Sequence, residues 1–463
     1  MGKIKLLKHS RNKPVSLLLV NPWIYDFTAY DFWSKPLGLL YLASILREQG
    51  YEINYIDCMD RYNPDLLRIQ NKLFPKKDES GRGPFYKEEI KKPEVLKNIP
   101  RRYSRYGITE DIFINELNKI DCPQAVLVTS LMTYWYPGVF RTIELIKKFF
   151  PHTPIILGGI YTTLCFEHAL QFSKADYTIK GKDIREVLQI LGGITGNKVD
   201  YLKYQNSLGS FPYPSWDFYP HLDYICILTS RGCPFRCTYC ASFHLDPELE
   251  FRNAVEVARE IEYWHCKKKV KDFIFYDDAL LVNCEKSFQI ILEELINRKL
   301  SIRLHTPNGV HARMINEEVA LKMFKAGVET IRLGFETANP GVQSRTGGKI
   351  TNLEFKRAVN LLLKAGFKTH QIGAYLLIGL PGQKGQEIID TINFVIDCGA
   401  HPRLAKFSPI PGTGIWQTSK DYFHLPEKVD PLFHNDALLP YLSPDINVEI
   451  LEKIKELIKG KMN

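Results

Sequence analysis

Cys233, Cys237 and Cys240 fall within eight positions of the segment SRGCPFRCTYCAS (230–242), in a chain of 463 residues with ten cysteines. A disulfide framework uses thiols in pairs, and a structural zinc site uses four ligands. Three thiols are one short. Thiolates are soft ligands that suit zinc or iron–sulfur clusters. A zinc site here would recruit a fourth ligand, and His244 is the nearest candidate. Iron–sulfur cubanes are normally held by four thiolates. Three would leave one iron with an open position, which is what a substrate-binding or catalytic site requires.

The rest of the chain sets the setting for these thiols. The opening MGKIKLLKHSRNKPVSLLLV places basic residues before apolar ones, as a signal peptide does. However, SLLLVNP has only a strand's length and no small-residue cleavage site follows, so it reads as a first buried strand. No apolar run approaches the roughly 20 residues that span a bilayer. The expected location is the cytoplasm, with reduced thiols, where a tight cluster points to metal or redox chemistry.

The net charge of +9 is concentrated in one place. Residues 61–106 hold thirteen Lys or Arg and six Asp or Glu, a local charge of +7. Such a stretch reads as a solvated insertion or as a lid that attracts an anionic ligand. Nucleic acid is disfavoured, because no binding module accompanies the charge.

Two kinds of element pattern must position the cysteines. Up to about residue 205, short apolar runs (16–22, 52–58, 125–130, 154–159, 175–181) alternate with helical patterns at 37–50 and 139–150. That alternation predicts an α/β, doubly wound, Rossmann-like parallel sheet, with the basic insertion leaving the carboxyl end of its second strand. A Pro- and aromatic-rich linker (206–222) follows. Residues 223–425 repeat strand then helix six times, with strands at 223–229, 272–277, 301–305, 329–334, 372–378 and 404–408. This predicts a partial (β/α)6 barrel, whose chemistry belongs at the carboxyl ends of its strands. The cysteines sit just past the end of the first. Residues 426–463 form a tail that contains an amphipathic helix, 445–460.

CPFRCTYC resembles the CxxxCx(aromatic)C signature of the radical S-adenosylmethionine (radical SAM) superfamily, with Tyr239 in the aromatic slot. The resemblance covers the second half. It implies a 4Fe–4S cluster held by Cys233, Cys237 and Cys240. Its open iron would chelate S-adenosylmethionine, which one electron cleaves to methionine and a 5′-deoxyadenosyl radical. It also implies oxygen sensitivity and an electron donor such as flavodoxin or ferredoxin. Further matching segments are FYDDALL (Asp277, Asp278), PNGVHARMI (Asn308, Arg313), LGFETAN (Glu336) and IGLPGQ (Gly379), each implied to contact S-adenosylmethionine. FSPIPGTGIW (407–416) matches the family's closing turn.

The first half resembles the cobalamin-binding domain found in one branch of that superfamily, through LLLVNPW, 35–58, VTSLMTYW, LGGIYTTL and 175–191. The resemblance implies a cleft for the corrin and its nucleotide tail at Asn21, Pro22, Ser130, Gly158, Gly159, Thr163 and Gly181. Lys182 stands where an acidic residue is usual. The Asp-x-His-x-x-Gly motif is absent, so cobalamin would bind without an axial histidine. The insertion would be a lid over the corrin or would occupy its place. Cys58, Cys122 and Cys165 lack the flanking residues of a second cluster site and read, like Cys226, Cys266, Cys284 and Cys398, as isolated buried thiols.

These readings imply an enzyme that methylates an unreactive carbon of a small-molecule or lipid substrate, with the basic insertion permitting an anionic one. The alternatives are radical rearrangement, cyclisation or coupling without methyl transfer, and a non-catalytic iron–sulfur or corrinoid-binding scaffold.

Overall fold

Leu17, Leu18, Leu19 and Val20 are fully buried. Successive residues of a strand leave by opposite faces. Leu18 and Val20 join one apolar core, while Leu17 and Leu19 join another. A strand buried on both faces belongs inside a parallel sheet, and the computed structural model, which describes residues 15–204 and 207–462, places it there. The basic opening segment (1–14) and the 205/206 boundary lie outside the described residues.

Strand β1 (Ser16–Asn21) is an interior strand of a five-stranded parallel sheet with β2 (Glu52–Asp57), β3 (Ala125–Val128), β4 (Ile155–Leu157) and β5 (Tyr177–Thr178), in the order β5-β4-β3-β1-β2. Helix α1 (Leu37–Glu48) crosses from β1 towards β2 and ends before Gly50. The second sheet has six parallel strands in sequence order: β6 (Tyr224–Ile227), β7 (Asp272–Phe275), β8 (Arg303–Val310), β9 (Val328–Glu336), β10 (Ile372–Ile378) and β11 (His401–Lys406). β6 and β11 do not pair, so the barrel is open on one side. Helix α2 (Asn352–Ala365) covers β9, with Phe355 stacked on Phe335 at 4.1 Å between ring centres.

The insertion does not fold as a lid. Its Lys87–Glu89 and Ser104–Tyr106 segments form a small antiparallel sheet with Ile24–Asp26. Loop 76–84 then turns to the amino-terminal ends of the barrel strands. Arg303 at the start of β8 donates to the Glu79 carbonyl at 2.5 Å, and Trp33 Nε1 donates to the Ser80 carbonyl at 2.9 Å. Buried Arg61 pairs with Asp31 (2.9 Å) and Asp223 (3.7 Å). Several of the insertion's other cations are also paired, among them Lys77 with Asp223 and Arg105 with Glu110. The loop therefore plugs the barrel's lower mouth.

The tail is more than an appendage. Leu432 and Leu438 complete the core of the first domain. Asn435 donates to Asp26 at 2.9 Å, and His434 Nδ1 lies 3.0 Å from Thr133 Oγ1. Its last helix, α3 (Val448–Met462), packs on the barrel through Leu451 and Ile454. The thiols divide as well. Cys58, Cys226, Cys284 and Cys398 are buried, but Cys122 and Cys266 are exposed and Cys165 is half-buried. Cys122 lies outside the strands and Cys266 near the end of a helix, which corrects the expectation that all seven are buried.

Candidate active site

The cysteine loop leaves β6 at its carboxyl end and is anchored from below by Asp277. That buried carboxylate accepts from Thr229 N (3.1 Å), Thr229 Oγ1 (2.7 Å), Ser230 N (2.5 Å) and Ser230 Oγ (2.6 Å). Burial pushes its carboxyl up, and the four donors oppose the shift. Through Oδ1, which takes all four bonds, Asp277 anchors the cysteine loop. Above it, Phe235 stacks on buried His311 at 4.1 Å. Thr238 N donates to the Thr346 carbonyl (3.3 Å), and Cys240 N donates to the Cys237 carbonyl (3.0 Å).

None of the three thiols is in a disulfide. Among the described residues, no three Cys, His, Asp or Glu side chains converge on a point that a single ion could fill. His244 is engaged elsewhere, its Nε2 lying 2.8 Å from the Gly412 carbonyl. With His244 so placed, the three thiols fall one ligand short of a structural zinc site. Three soft, partly accessible thiols spread along one loop fit a larger iron–sulfur cluster. Burial pushes the Cys233 and Cys237 thiols up; at Cys237, Lys349 opposes it.

Lys349 is a functional candidate that the sequence did not reveal. Its half-buried ammonium lies 3.3 Å from Glu336 Oε1. Burial alone would push it down, but Glu336 and Cys237 carry the net direction up. Glu336 ends β9 with φ +70°, a left-handed backbone that costs of order 1–3 kcal/mol in a non-glycine residue. Tyr239 is packed against Cys237 and Glu336, and its hydroxyl is pushed well up by burial. Cys237, Tyr239, Glu336 and Lys349 thus share one surface.

Other candidates are placed differently. Arg313 is committed to Glu354 (2.9 Å) and the Gly348 carbonyl (2.9 Å), so it clamps the loop that carries Lys349 rather than facing the thiols. Asn308 donates to the Tyr276 carbonyl at 2.8 Å and braces the end of β7. Gly379 N donates to Gln383 Oε1 (2.7 Å), and its α-carbon faces Leu439 of the tail. Asp278, adjacent to Asp277, points the other way, into a cavity.

That cavity, about 440 Å³, lies between the carboxyl edge of the first sheet and the ends of β6 and β7. Ser130, Gly158, Gly159, Thr163 and Gly181 line one side, and Ser230, Gly232, Tyr276 and Asp278 the other. Its volume is within the range of small-molecule sites. Nothing lies within 4 Å of a Cβ built on Gly181, and only Ile179 at 3.9 Å for Gly158, so side chains there would fill the cradle. Ser130 and Thr163 spend their protons on the Gly158 and Gly159 carbonyls, at 2.8 Å each. Their oxygens can still accept.

Asn21 and Pro22 do not line the cavity. Asn21 is buried, with its amide on Asp57 at 2.6 Å, which corrects its expected place in the cleft. No residue of 61–106 lines it either, so the insertion neither covers nor occupies this space. Lys182, at the rim, pairs with Asp246 across the two domains.

Residues 227–395 match the model of the Radical SAM superfamily. The chain is 26% identical over 398 residues to an uncharacterized methyltransferase of Pyrococcus horikoshii, covering 82% of this chain and 78% of that one. It is 23% identical to an anaerobic magnesium-protoporphyrin IX monomethyl ester cyclase of Rubrivivax gelatinosus, over 64% of this chain and 60% of the relative. Its fold is similar to that of the radical S-adenosylmethionine methyltransferase TsrM from Kitasatospora setae, solved with cobalamin and a 4Fe–4S cluster. The TM-score is 0.64 at 15% identity, covering 89% of this chain and 75% of that one.

Proposed function

We propose that this chain, which carries a radical SAM domain at residues 227–395, is an enzyme that transfers a methyl group to an unreactive carbon of a small-molecule substrate. Cobalamin would be held in the interdomain cavity. The reading rests on that cavity: glycines of one domain face the cysteine loop of the other across an apolar space. The similarity to methyltransferases in sequence and in fold supports it. When bound, a 4Fe–4S cluster, S-adenosylmethionine and cobalamin supply one-electron reduction, a radical precursor and a methyl carrier.

The protein's own residues have positional work. Cys233, Cys237 and Cys240 would hold the cluster, with Asp277 and His311 fixing their loop. Lys349, beside Glu336, would meet the carboxylate of S-adenosylmethionine. Asp278 and Tyr276 face the substrate side of the cavity, where apolar walls exclude water. No helix of the described residues is long and apolar enough to cross a membrane. We place the enzyme in the cytoplasm, with a flavodoxin or ferredoxin as reductant.

The test is cobalt and iron per chain after anaerobic purification with hydroxocobalamin supplied. Near-stoichiometric cobalt is expected in the wild type, and Gly158→Val should lose cobalt while retaining iron. Full iron without cobalt in the wild type would overturn the methyl-transfer reading and favour radical cyclisation or rearrangement. Cys233→Ala should lose iron and all 5′-deoxyadenosine formation.

A further inference from the structure

Three arginines that the site above leaves unused gather in the lower half of the barrel. β9 turns Ile331, Leu333 and Phe335 into the apolar core under the helices, so Arg332 and Gly334 face inward. In register, Arg332 lies beside Gly373 of β10, and Tyr375 of β10 lies beside Arg403 of β11. Gly373 leaves the room: a Cβ there would stand 2.8 Å from Arg332 Nη1 and 3.2 Å from its Cζ. The third guanidinium comes from the plug loop of the other domain. Arg82 is stacked over Trp33, 4.9 Å from the ring centre.

The charges are not balanced. Arg332, only 9% exposed, donates to its neighbour's carbonyl, Ile331 O, at 3.0 Å and bonds the Tyr375 hydroxyl. That hydroxyl itself donates to the Pro307 carbonyl at 2.7 Å. Among the described residues no carboxylate pairs with Arg332 or Arg403. The one counter-charge is Asp78, 2.8 Å from Arg82 Nε. Burial, then Arg403 and Arg82, push Arg332 down to about 10, and burial and Arg82 lower Arg403 as well. A buried cation with no anion is expensive, and packing alone does not call for arginine beside a glycine.

We infer that Arg82, Arg332 and Arg403 form a binding site for a dianionic tetrahedral oxyanion, a phosphate group, that enters the barrel from the exposed Arg403 side. Three guanidinium groups against one carboxylate leave a charge of +2, which a phosphate dianion neutralises. Planar guanidinium forks suit paired phosphate oxygens better than point charges would. Glu336 lies four steps beyond Arg332 along β9, about 13 Å at ~3.3 Å per residue. The site is therefore distinct from the cysteine loop and does not depend on the cofactor reading.

The test is isothermal titration of the full-length chain with inorganic phosphate and, separately, glycerol 3-phosphate, at ionic strength matched with chloride. Saturable one-to-one binding is expected. It should weaken at least tenfold in Arg403→Gln and in Arg82→Gln, whose side chains are partly exposed and can change without unfolding the barrel. Arg332→Met should abolish it, with circular dichroism checking the fold. Binding of free phosphate identifies the anion itself as ligand, and preference for the ester identifies a phosphomonoester; either supports the site. No saturable binding of either ligand, or undiminished binding in Arg403→Gln and Arg82→Gln, overturns it.

Discussion

Lys349 brings a positive charge to a surface otherwise made of thiols and acids. Its ammonium beside Glu336 is suited to a carboxylate ligand, and a charge-assisted hydrogen bond contributes about 1.5–3 kcal/mol. Lys349→Met should therefore raise the Kd for S-adenosylmethionine on the order of tenfold or more, while Lys349→Arg recovers part of it. Equilibrium binding to the iron-loaded protein measures both; an unchanged Kd in Lys349→Met would leave the lysine a purely structural role. Two histidines carry a second prediction. Burial holds His311 and His434 down to about 3, so both stay neutral in the fold. Unfolded histidines take up a proton near pH 6.5. Between these values the unfolded state binds more protons, so the contribution is whole above about pH 6.5 and is lost as the pH falls towards 3. Each costs roughly 2 kcal/mol at pH 5. Urea denaturation at pH 7 and pH 5 should show the loss, and His311→Gln should flatten its share; an identical pH slope in the variant would refute this. At this scale the three cysteines were legible because a loop ligand set is local in sequence. Lys349 was not, since loop 347–349 meets the cysteine loop through contacts more than a hundred residues apart in sequence, such as Thr238 N on the Thr346 carbonyl. Asp277 and Asp278 are adjacent and identical in type, yet one anchors the loop and the other faces the cavity. Only the turn of the backbone separates those roles.

Among the elements, the plug loop offers the sharpest test. Gly81 has φ +83°, and a Cβ on it would collide with Asp223 at the entry to β6. Gly81→Ala should lift loop 76–84 off the barrel, with a loss of about 1–3 kcal/mol. Hydrogen exchange should then rise there and at the start of β8 while the cysteine loop stays protected. Unaltered exchange in 76–84 would show that the close approach is not needed. The principal strands were readable because continuous apolar runs mark buried parallel strands. β8 runs on through Pro307, Asn308 and Gly309, and β11 starts at His401, because pairing to a neighbour defines a strand and its own composition does not. The path of the insertion was illegible for a related reason. Its partners, Asp223 and Arg303, lie far along the chain, and nothing in a basic stretch says which carboxylates will neutralise it.

For the whole molecule, the two domains are joined around the cavity by few charges. Lys182 with Asp246 is one of these pairs, and it stands at the rim. The lysine is partly exposed, so Lys182→Ala should cost no more than about 1 kcal/mol in stability. It should nevertheless speed the release of cobalamin, read by the loss of its absorbance on dilution. Release at the wild-type rate would confine Lys182 to surface pairing. That an α/β sheet precedes an open six-stranded barrel was visible in the alternation of patterns. The way the tail bridges them was not, since an amphipathic helix announces only that it has a partner. Leu432 and Leu438 finish the apolar interior of the first domain, and Asn435 caps the buried carboxylate of Asp26. On the ribosome, these residues emerge only after the entire barrel has been made. The first domain must therefore wait, unfinished, through the synthesis of the second.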